Sequence, residues 1–104
     1  MADYITALRK KPDKAWEVID VRDELRDYQN EVGGYIESVT LWPGATVLCD
    51  EEGRIKDYEE NCEICGVDFC GTILIVGVSG EEFCDVPDEL INELAGEAGE
   101  YFEI

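Results

Sequence analysis

The sequence predicts a single small α+β domain, with a mixed, mainly antiparallel sheet of about five strands and two helices packed on one face of that sheet. Three observations predict this fold. The 104 residues suffice for one domain. Short runs rich in β-branched and aromatic residues recur between turn-forming residues, and two stretches have apolar residues at helical spacing. No linker, repeat or low-complexity stretch divides residues 1–104, so we expect one unit.

The first predicted elements are a β-hairpin and a helix. Residues 4–9 and 16–21 have the composition of two strands, and the Lys, Pro and Asp residues between them form a turn. A helix follows, and Asp23 is in place to cap its first turn. The glycine pair after this helix ends it. Its apolar face is formed by residues at positions i, i+3 and i+7, namely Leu25, Tyr28 and Val32.

The middle of the chain predicts further strands. Residues 35–41 and 45–49 form a second hairpin around a Trp-Pro-Gly turn, and residues 54–58 suggest a short returning strand. Residues 59–71 are polar and contain cysteines, so we expect irregular structure there. Residues 72–78 are an almost continuous run of β-branched residues. Such a run predicts a strand that is buried on both faces and lies centrally in the sheet.

The last predicted element is a helix. Asp85 and Asp88 have the spacing of a capping pair, and Pro87 suits the first helical turn. The helix is therefore expected to start near this proline. Its apolar face is formed by four residues and closed by two aromatic residues, in order Leu90, Ile91, Leu94, Ala95, Tyr101 and Phe102.

Charge is the most unusual feature of the sequence. It has 26 acidic and 8 basic residues and no His, which gives a net charge of −18. Lys56 is the last basic residue, so the 14 acids of residues 57–104 have no base among them. Nucleic acid binding requires cationic groups that neutralise phosphates, and an anionic membrane is disfavoured on the same grounds. We therefore expect neither as a direct partner, and we expect a basic protein surface instead.

The acids near the end of the chain predict how such a partner would be bound. Glu89, Glu93 and Glu97 follow one another at i, i+4, a spacing at which like charges destabilise a helix. A rigid array of carboxylates can occupy a basic groove built for a nucleic acid backbone, as a DNA mimic does. An acidic face kept for solubility and adaptation to high salt are the alternatives. The expected partner-binding residues are Glu81, Glu82, Glu89, Glu93, Glu97 and Glu100.

The cysteines allow a different hypothesis, a structural or regulatory module with a zinc-ligated loop at residues 62–84. Four thiolates can hold tetrahedral zinc, although only the first two have conventional spacing. Buried or incidental thiols and a redox pair are the alternatives. Apart from zinc, no cofactor is expected. The candidate ligands are Cys62, Cys65, Cys70 and Cys84.

Catalysis is not expected. The sequence has no His for general acid–base chemistry, no nucleophile elbow around Ser38 or Ser79, and no glycine-rich phosphate loop before a helix. It also has neither a secretory signal pattern at its start nor an apolar run of about 20 residues. We therefore expect a cytoplasmic protein with reduced cysteines, either a monomer or a homodimer.

Three short stretches give the chain a resemblance to a known family. They are residues 32–37 (VGGYIE), 50–53 (DEEG) and 71–77 (GTILIVG), followed by a short acidic helix. In these stretches the chain resembles an uncharacterised small domain family of Gram-positive phages, plasmids and integrative elements, often encoded near antirestriction and other anti-defence genes. The resemblance covers most of residues 15–95.

The resemblance implies an accessory or anti-defence role in the cytoplasm of a bacterial host, and it supplies no catalytic residues to assign to this chain. Together with the charge, it makes an anti-CRISPR or antirestriction inhibitor the leading hypothesis. Such a protein would occupy the basic nucleic-acid-binding surface of a CRISPR effector or a restriction enzyme. The module with a zinc loop is the second hypothesis.

The charge imbalance predicts that salt stabilises the fold. Repulsion among uncompensated carboxylates opposes the compact state, and raising NaCl from about 0.01 M to about 1 M shortens the Debye length from about 30 Å to about 3 Å. We expect the melting temperature, followed by circular dichroism, to rise over this range. An equal rise in KCl would show screening rather than binding of one cation. A constant or falling melting temperature would contradict the prediction.

Overall fold

The structure is a computed structural model that describes residues 3–53 and 55–96. Within these ranges, no helix has the length and apolar composition needed to cross a bilayer. In chain order the elements are β1 (Tyr4–Lys10), β2 (Glu17–Arg22), α1 (Leu25–Val32), β3 (Ile36–Trp42), β4 (Ala45–Asp50), β5 (Glu60–Ile64), β6 (Val67–Cys70), β7 (Ile73–Ser79), β8 (Glu82–Cys84), α2 (Asp88–Leu90) and a π-helical segment (Ile91–Gly96).

β7 is the central strand of the main sheet. Among the described residues this sheet has six strands: five follow the order β2-β1-β7-β4-β3, and the sixth, β8, pairs with the last residues of β7. β5 and β6 form a separate two-stranded sheet. Each of these pairings is antiparallel. The predicted α+β class, the mainly antiparallel sheet and the central position of the strand at residues 72–78 are thus confirmed.

Both faces of the sheet are covered, because neighbouring residues of β7 point to opposite sides and its first five residues are all buried. Ile73 and Ile75 belong to an apolar cluster that β5, β6 and α2 cover. Leu74 and Val76 belong to a second cluster, which α1 covers. The two helices therefore lie on opposite faces of the sheet, not on one face as the sequence predicted. The physical reason is that a strand with two buried faces requires apolar cover on each side.

The β5–β6 hairpin lies where the sequence predicted irregular structure. It turns at Cys65 and Gly66, whose φ angles are 51° and 83°. Glu63 stands directly opposite Asp68 in this hairpin. Like charges at opposite positions are unfavourable in a strand pair, so the acidic residues of this segment did not predict a hairpin. Residues 55–57 form turns, so the strand predicted for residues 54–58 is not seen in the described part of this segment.

Neither helix is capped by the side chain that the sequence predicted. α1 has Glu24 as its N-cap without a side-chain hydrogen bond, and α2 likewise has no side-chain cap. The Asp23 carboxylate instead accepts a hydrogen bond from the Tyr28 hydroxyl at 2.6 Å. Asp85 accepts one from the amide of Thr6 at 2.8 Å, which ties the end of β8 to β1. Both carboxylates accept hydrogen bonds from donors outside the expected caps. The spacing of the two acids in the sequence does not indicate such donors.

A buried carboxylate joins the end of β4 to the loop that follows it. The Asp50 side chain is 1% exposed and accepts hydrogen bonds from Lys56 Nζ and the Tyr58 hydroxyl, both at 2.9 Å, and from the Glu52 amide at 2.8 Å. Burial opposes the ionised form, but these donors outweigh burial, so the pKa of Asp50 lies below its ordinary value. The carboxylate is therefore a charged structural group at neutral pH.

Two glycines make room for Tyr58 beside this carboxylate. Gly33 ends α1 with a φ of 96°, as predicted, and a Cβ there would lie 2.7 Å from the Tyr58 hydroxyl oxygen. Gly71 has a φ of 76°, and a Cβ there would lie 2.5 Å from Tyr58 Cδ2. The stretches VGGYIE, DEEG and GTILIVG thus meet around one half-buried tyrosine and one buried aspartate.

The close approach of Tyr58 predicts that Gly71→Ala is more harmful than Gly66→Ala. Both glycines have a left-handed φ, but a Cβ at Gly66 would meet nothing within 4 Å. Gly66→Ala should cost about 1–2 kcal/mol of unfolding free energy from backbone strain alone. Gly71→Ala should cost about 1–3 kcal/mol more, because the methyl group overpacks the ring. Urea unfolding measures both, and equal losses would rule out the proposed packing.

The engaged carboxylate predicts a pH-dependent stability difference between the wild type and Asp50→Asn. The variant should lose about 1–3 kcal/mol at pH 7, because buried donors lose their charged acceptor. Since the native pKa is depressed, the contribution of Asp50 is complete above the unfolded pKa of about 3.9 and is lost as pH falls through the lower native pKa.

Urea unfolding should therefore show a constant difference from about pH 8 to about pH 5, and a shrinking difference below about pH 4. Asp57→Asn is the control, because Asp57 is an exposed acid of the same loop and its loss should change little. A difference that persists undiminished at about pH 2 would show that the carboxylate charge is not what stabilises this site.

Candidate functional site

The described acids of the second half of the chain lie at the surface. The bases Arg9 and Lys56 form ion pairs, but with Glu17, Glu31 and Asp50, which are acids of the first half. Of the 14 acids after Lys56, the structure describes 11, and every one of these is exposed. They are Asp57, Glu59, Glu60, Glu63, Asp68, Glu81, Glu82, Asp85, Asp88, Glu89 and Glu93.

Two of the predicted binding acids meet acids from a distant part of the chain. Glu81 and Glu82 lie at the β7–β8 turn and line a cleft of about 270 Å³ together with Asp23 and Glu24. The topology explains this meeting, because α1 packs over β7 and its first turn comes to lie beside the end of that strand. Sequence reasoning missed Asp23 and Glu24 as binding candidates, since they are local acids of a β-to-α turn.

The same cleft has an apolar lining. Leu25 is 58% exposed, and the rings of Tyr28 and Phe83 meet edge to face with centroids 5.3 Å apart. Burial, and then the hydrogen bond to Asp23, raises the pKa of Tyr28, so its hydroxyl stays protonated and holds that carboxylate in place. A cleft with carboxylates and apolar side chains together suits the end of a Lys or Arg side chain, which has an aliphatic stem and a charged group.

The last helix presents its acids separately from this cleft. Glu89 lies in α2 and Glu93 in the π-helical segment, and both are exposed. The arrangement of these acids as one i, i+4 stripe stays a prediction. α2 also packs on the sheet face opposite to α1. Glu97 and Glu100 lie outside the described residues.

The candidate zinc ligands are divided between two hairpins. Cys62 and Cys70 belong to β5 and β6, Cys65 to the turn between them, and Cys84 to β8. Among the residues that the structure describes, no group of three or more His, Cys, Asp or Glu side chains is arranged to hold a metal ion. Burial also raises the pKa of Cys62, and the nearby charge of Lys10 lowers it by a smaller amount. The net increase disfavours the thiolate that a zinc ion would need. Zinc binding at residues 62–84 stays a sequence prediction.

Comparison with known proteins gives a family and no function. No curated protein and no solved structure matches this chain. A family model does match, and it covers residues 5–99, nearly all of the sequence. This confirms the expected membership of an uncharacterised small domain family. The chain belongs to the family described as a domain of unknown function (DUF3846).

Proposed function

We propose that this domain acts without catalysis, by binding the basic surface of another protein. The observation that supports the proposal most directly is the exposure of all 11 described acids after Lys56, in a half of the chain that has no base. Where four of the carboxylates of the chain meet, around the cleft of Asp23, Glu24, Glu81 and Glu82, an apolar lining is present as well. Charge attracts the partner, and the apolar lining adds contact area.

The expected anchor of the partner is an arginine or a lysine. Its charged end would reach the carboxylates, while its aliphatic stem would contact Leu25 and Phe83. A cation above the Phe83 ring would add a cation–π attraction. Exposed ion pairs contribute only about 0.2–1 kcal/mol each, so complementary charge should act mainly by accelerating association. Binding should consequently weaken steeply as salt increases.

We propose a nucleic-acid-binding protein as the target, in particular a CRISPR effector or a restriction enzyme of a bacterial host. Such proteins hold their nucleic acid in cationic channels, and in CRISPR effectors the channel recognises backbone rather than sequence. A dense carboxylate surface offers the same charge as that backbone. The resemblance to a family of phages, plasmids and integrative elements supports an anti-defence role and a cytoplasmic location.

Capture and competition test this function. The immobilised domain is incubated with lysate of a bacterial host at about 50 mM NaCl, and captured proteins are identified by mass spectrometry. We expect a basic nucleic-acid-binding protein that is released by about 500 mM NaCl, because salt screens exposed charge pairs. Duplex DNA or guide RNA should also release it. A captured protein that nucleic acid does not displace would contradict mimicry, and capture that high salt leaves intact would contradict charge-driven binding.

Replacing Glu24, Glu81 and Glu82 with Gln tests the cleft itself. Losing three ion pairs of up to about 1 kcal/mol each should weaken binding of the identified partner by about 10-fold to 100-fold. Surface plasmon resonance at constant salt measures the affinity and shows whether the association rate falls.

The matched control is the Gln variant at Glu59, Glu60 and Glu63, which removes the same charge from exposed positions away from the cleft. The control should bind nearly as well as the wild type. If both triple variants lose affinity equally, total charge rather than the cleft determines binding.

A further inference from the structure

A second surface lies on the sheet face opposite to α1. A groove of about 440 Å³ opens there between β3 and β6. Cys49 and Phe69 are its most buried apolar lining residues, at 8% and 4% exposure, while Val39 and Val67 are half-buried. Ile55 lines the same groove and is 83% exposed. The groove therefore has several apolar side chains in its lining, and it is open to solvent.

The two strands that border this groove are both edge strands. β3 ends the strand order of the main sheet, and β6 ends that of the two-stranded sheet. Among the described strands, each pairs on one side only. The first half of β3, from Ile36 to Val39, pairs regularly with β4, and its irregularity falls between Val39 and Trp42. A regular edge therefore borders the groove, and such an edge has backbone donors and acceptors ready to pair with another strand.

The charge of the groove indicates what could pair there. Glu37 and Glu51 line it and are both exposed, whereas the carboxylate of Asp50 is already engaged by Lys56 and Tyr58. Glu37 and Val39 project from the same side of β3, since they are two residues apart. An added strand would complement these acidic and apolar side chains if the side of the strand that faces the groove had basic and apolar side chains.

A second copy of this chain fits the groove poorly. Pairing the β3 edges of two copies would bring two strands with Glu37 together, in molecules that each have a net charge of −18. Like charges across a strand pair are destabilising, and net charge of this size opposes self-association. A basic segment of a different protein has neither disadvantage.

We propose that the groove between β3 and β6 binds an extended segment of a partner protein as an added β-strand, and that this segment contains both basic and apolar residues. Main-chain hydrogen bonds to an edge strand would supply affinity, and the groove would select the side chains. The inference goes beyond the proposed function and rests on other residues, because the acid-lined cleft belongs to the opposite side of the sheet.

Three synthetic peptides of eight residues test this proposal. One contains Lys and Val in a pattern that places both on each face of the strand, the second replaces Lys with Glu, and the third replaces Val with Ser. Fluorescence anisotropy at about 0.1 M NaCl measures affinity, and amide shifts in ¹⁵N NMR spectra locate the site. We expect the Lys–Val peptide to bind at least about 10-fold more tightly than the others, with shifts at Ile36–Val39 and Val67–Cys70.

Variants connect the binding to the groove. Two variants should each weaken binding of the Lys–Val peptide by about 10-fold or more: Ile55→Ser, and the double variant Glu37→Lys with Glu51→Lys. This is the loss of affinity expected when an apolar contact or two charge pairs are removed. Glu59→Lys with Glu60→Lys makes the same change in net charge and should have little effect, because neither residue lines the groove. The melting temperature of each variant establishes that the fold is intact.

Each other outcome overturns the inference. Equal binding of the Lys–Ser peptide would show that charge alone attracts the peptide. Shifts around Glu24 and Glu81 instead of β3 would move the site to the acid-lined cleft, which would overturn this inference while favouring the proposed function. Concentration-dependent shifts at β3 without peptide would identify a second copy as the occupant. Conversely, peptide binding at β3 that survives the Gln variant at Glu24, Glu81 and Glu82 would support the groove on its own.

Discussion

The burial of β7 on both faces is the constraint on which the rest of the structure depends. Four consecutive apolar residues, Ile73 to Val76, must be removed from water, and adjacent residues of a strand point to opposite sides. One layer of cover cannot achieve this. α1 therefore packs on one side, and the β5–β6 hairpin and α2 pack on the other. Both candidate surfaces lie where a covering element meets the sheet.

The charges of the protein are divided between a structural and a surface role. The few bases of the first half include two that hold acids of the same half, as Arg9 does with Glu17 and Glu31 and Lys56 with Asp50. That part of the second half which the structure describes has 11 acids, all of them exposed, and the second half of the sequence contains no base. A solvated carboxylate costs little by itself, but many of them repel one another. The fold is therefore expected to tolerate this repulsion because an apolar cluster is buried on each face of the sheet.

The two proposed surfaces complement each other in mechanism. The cleft of Asp23, Glu24, Glu81 and Glu82 acts mainly through charge, which favours fast association with any cationic protein. The groove beside β3 would act through main-chain pairing and apolar contact, which select a sequence. A partner that engages both would gain specificity that charge alone cannot provide, because many cellular proteins are basic. Their positions on opposite sides of the sheet mean that such a partner would have to reach around the domain.

The sequence by itself determined the α+β class, the central strand at residues 72–78, the end of α1 at Gly33 and the excess of negative charge. These features depend on local periodicity, backbone preference or composition, which a sequence contains directly. Only the tertiary structure decided that the helices cover opposite faces, that Asp23 and Asp85 bind Tyr28 and Thr6 instead of capping, and that Glu81 and Glu82 meet Asp23 and Glu24. The physical reason is that such contacts depend on which distant segments the packing of β7 brings together, and no local pattern reports this.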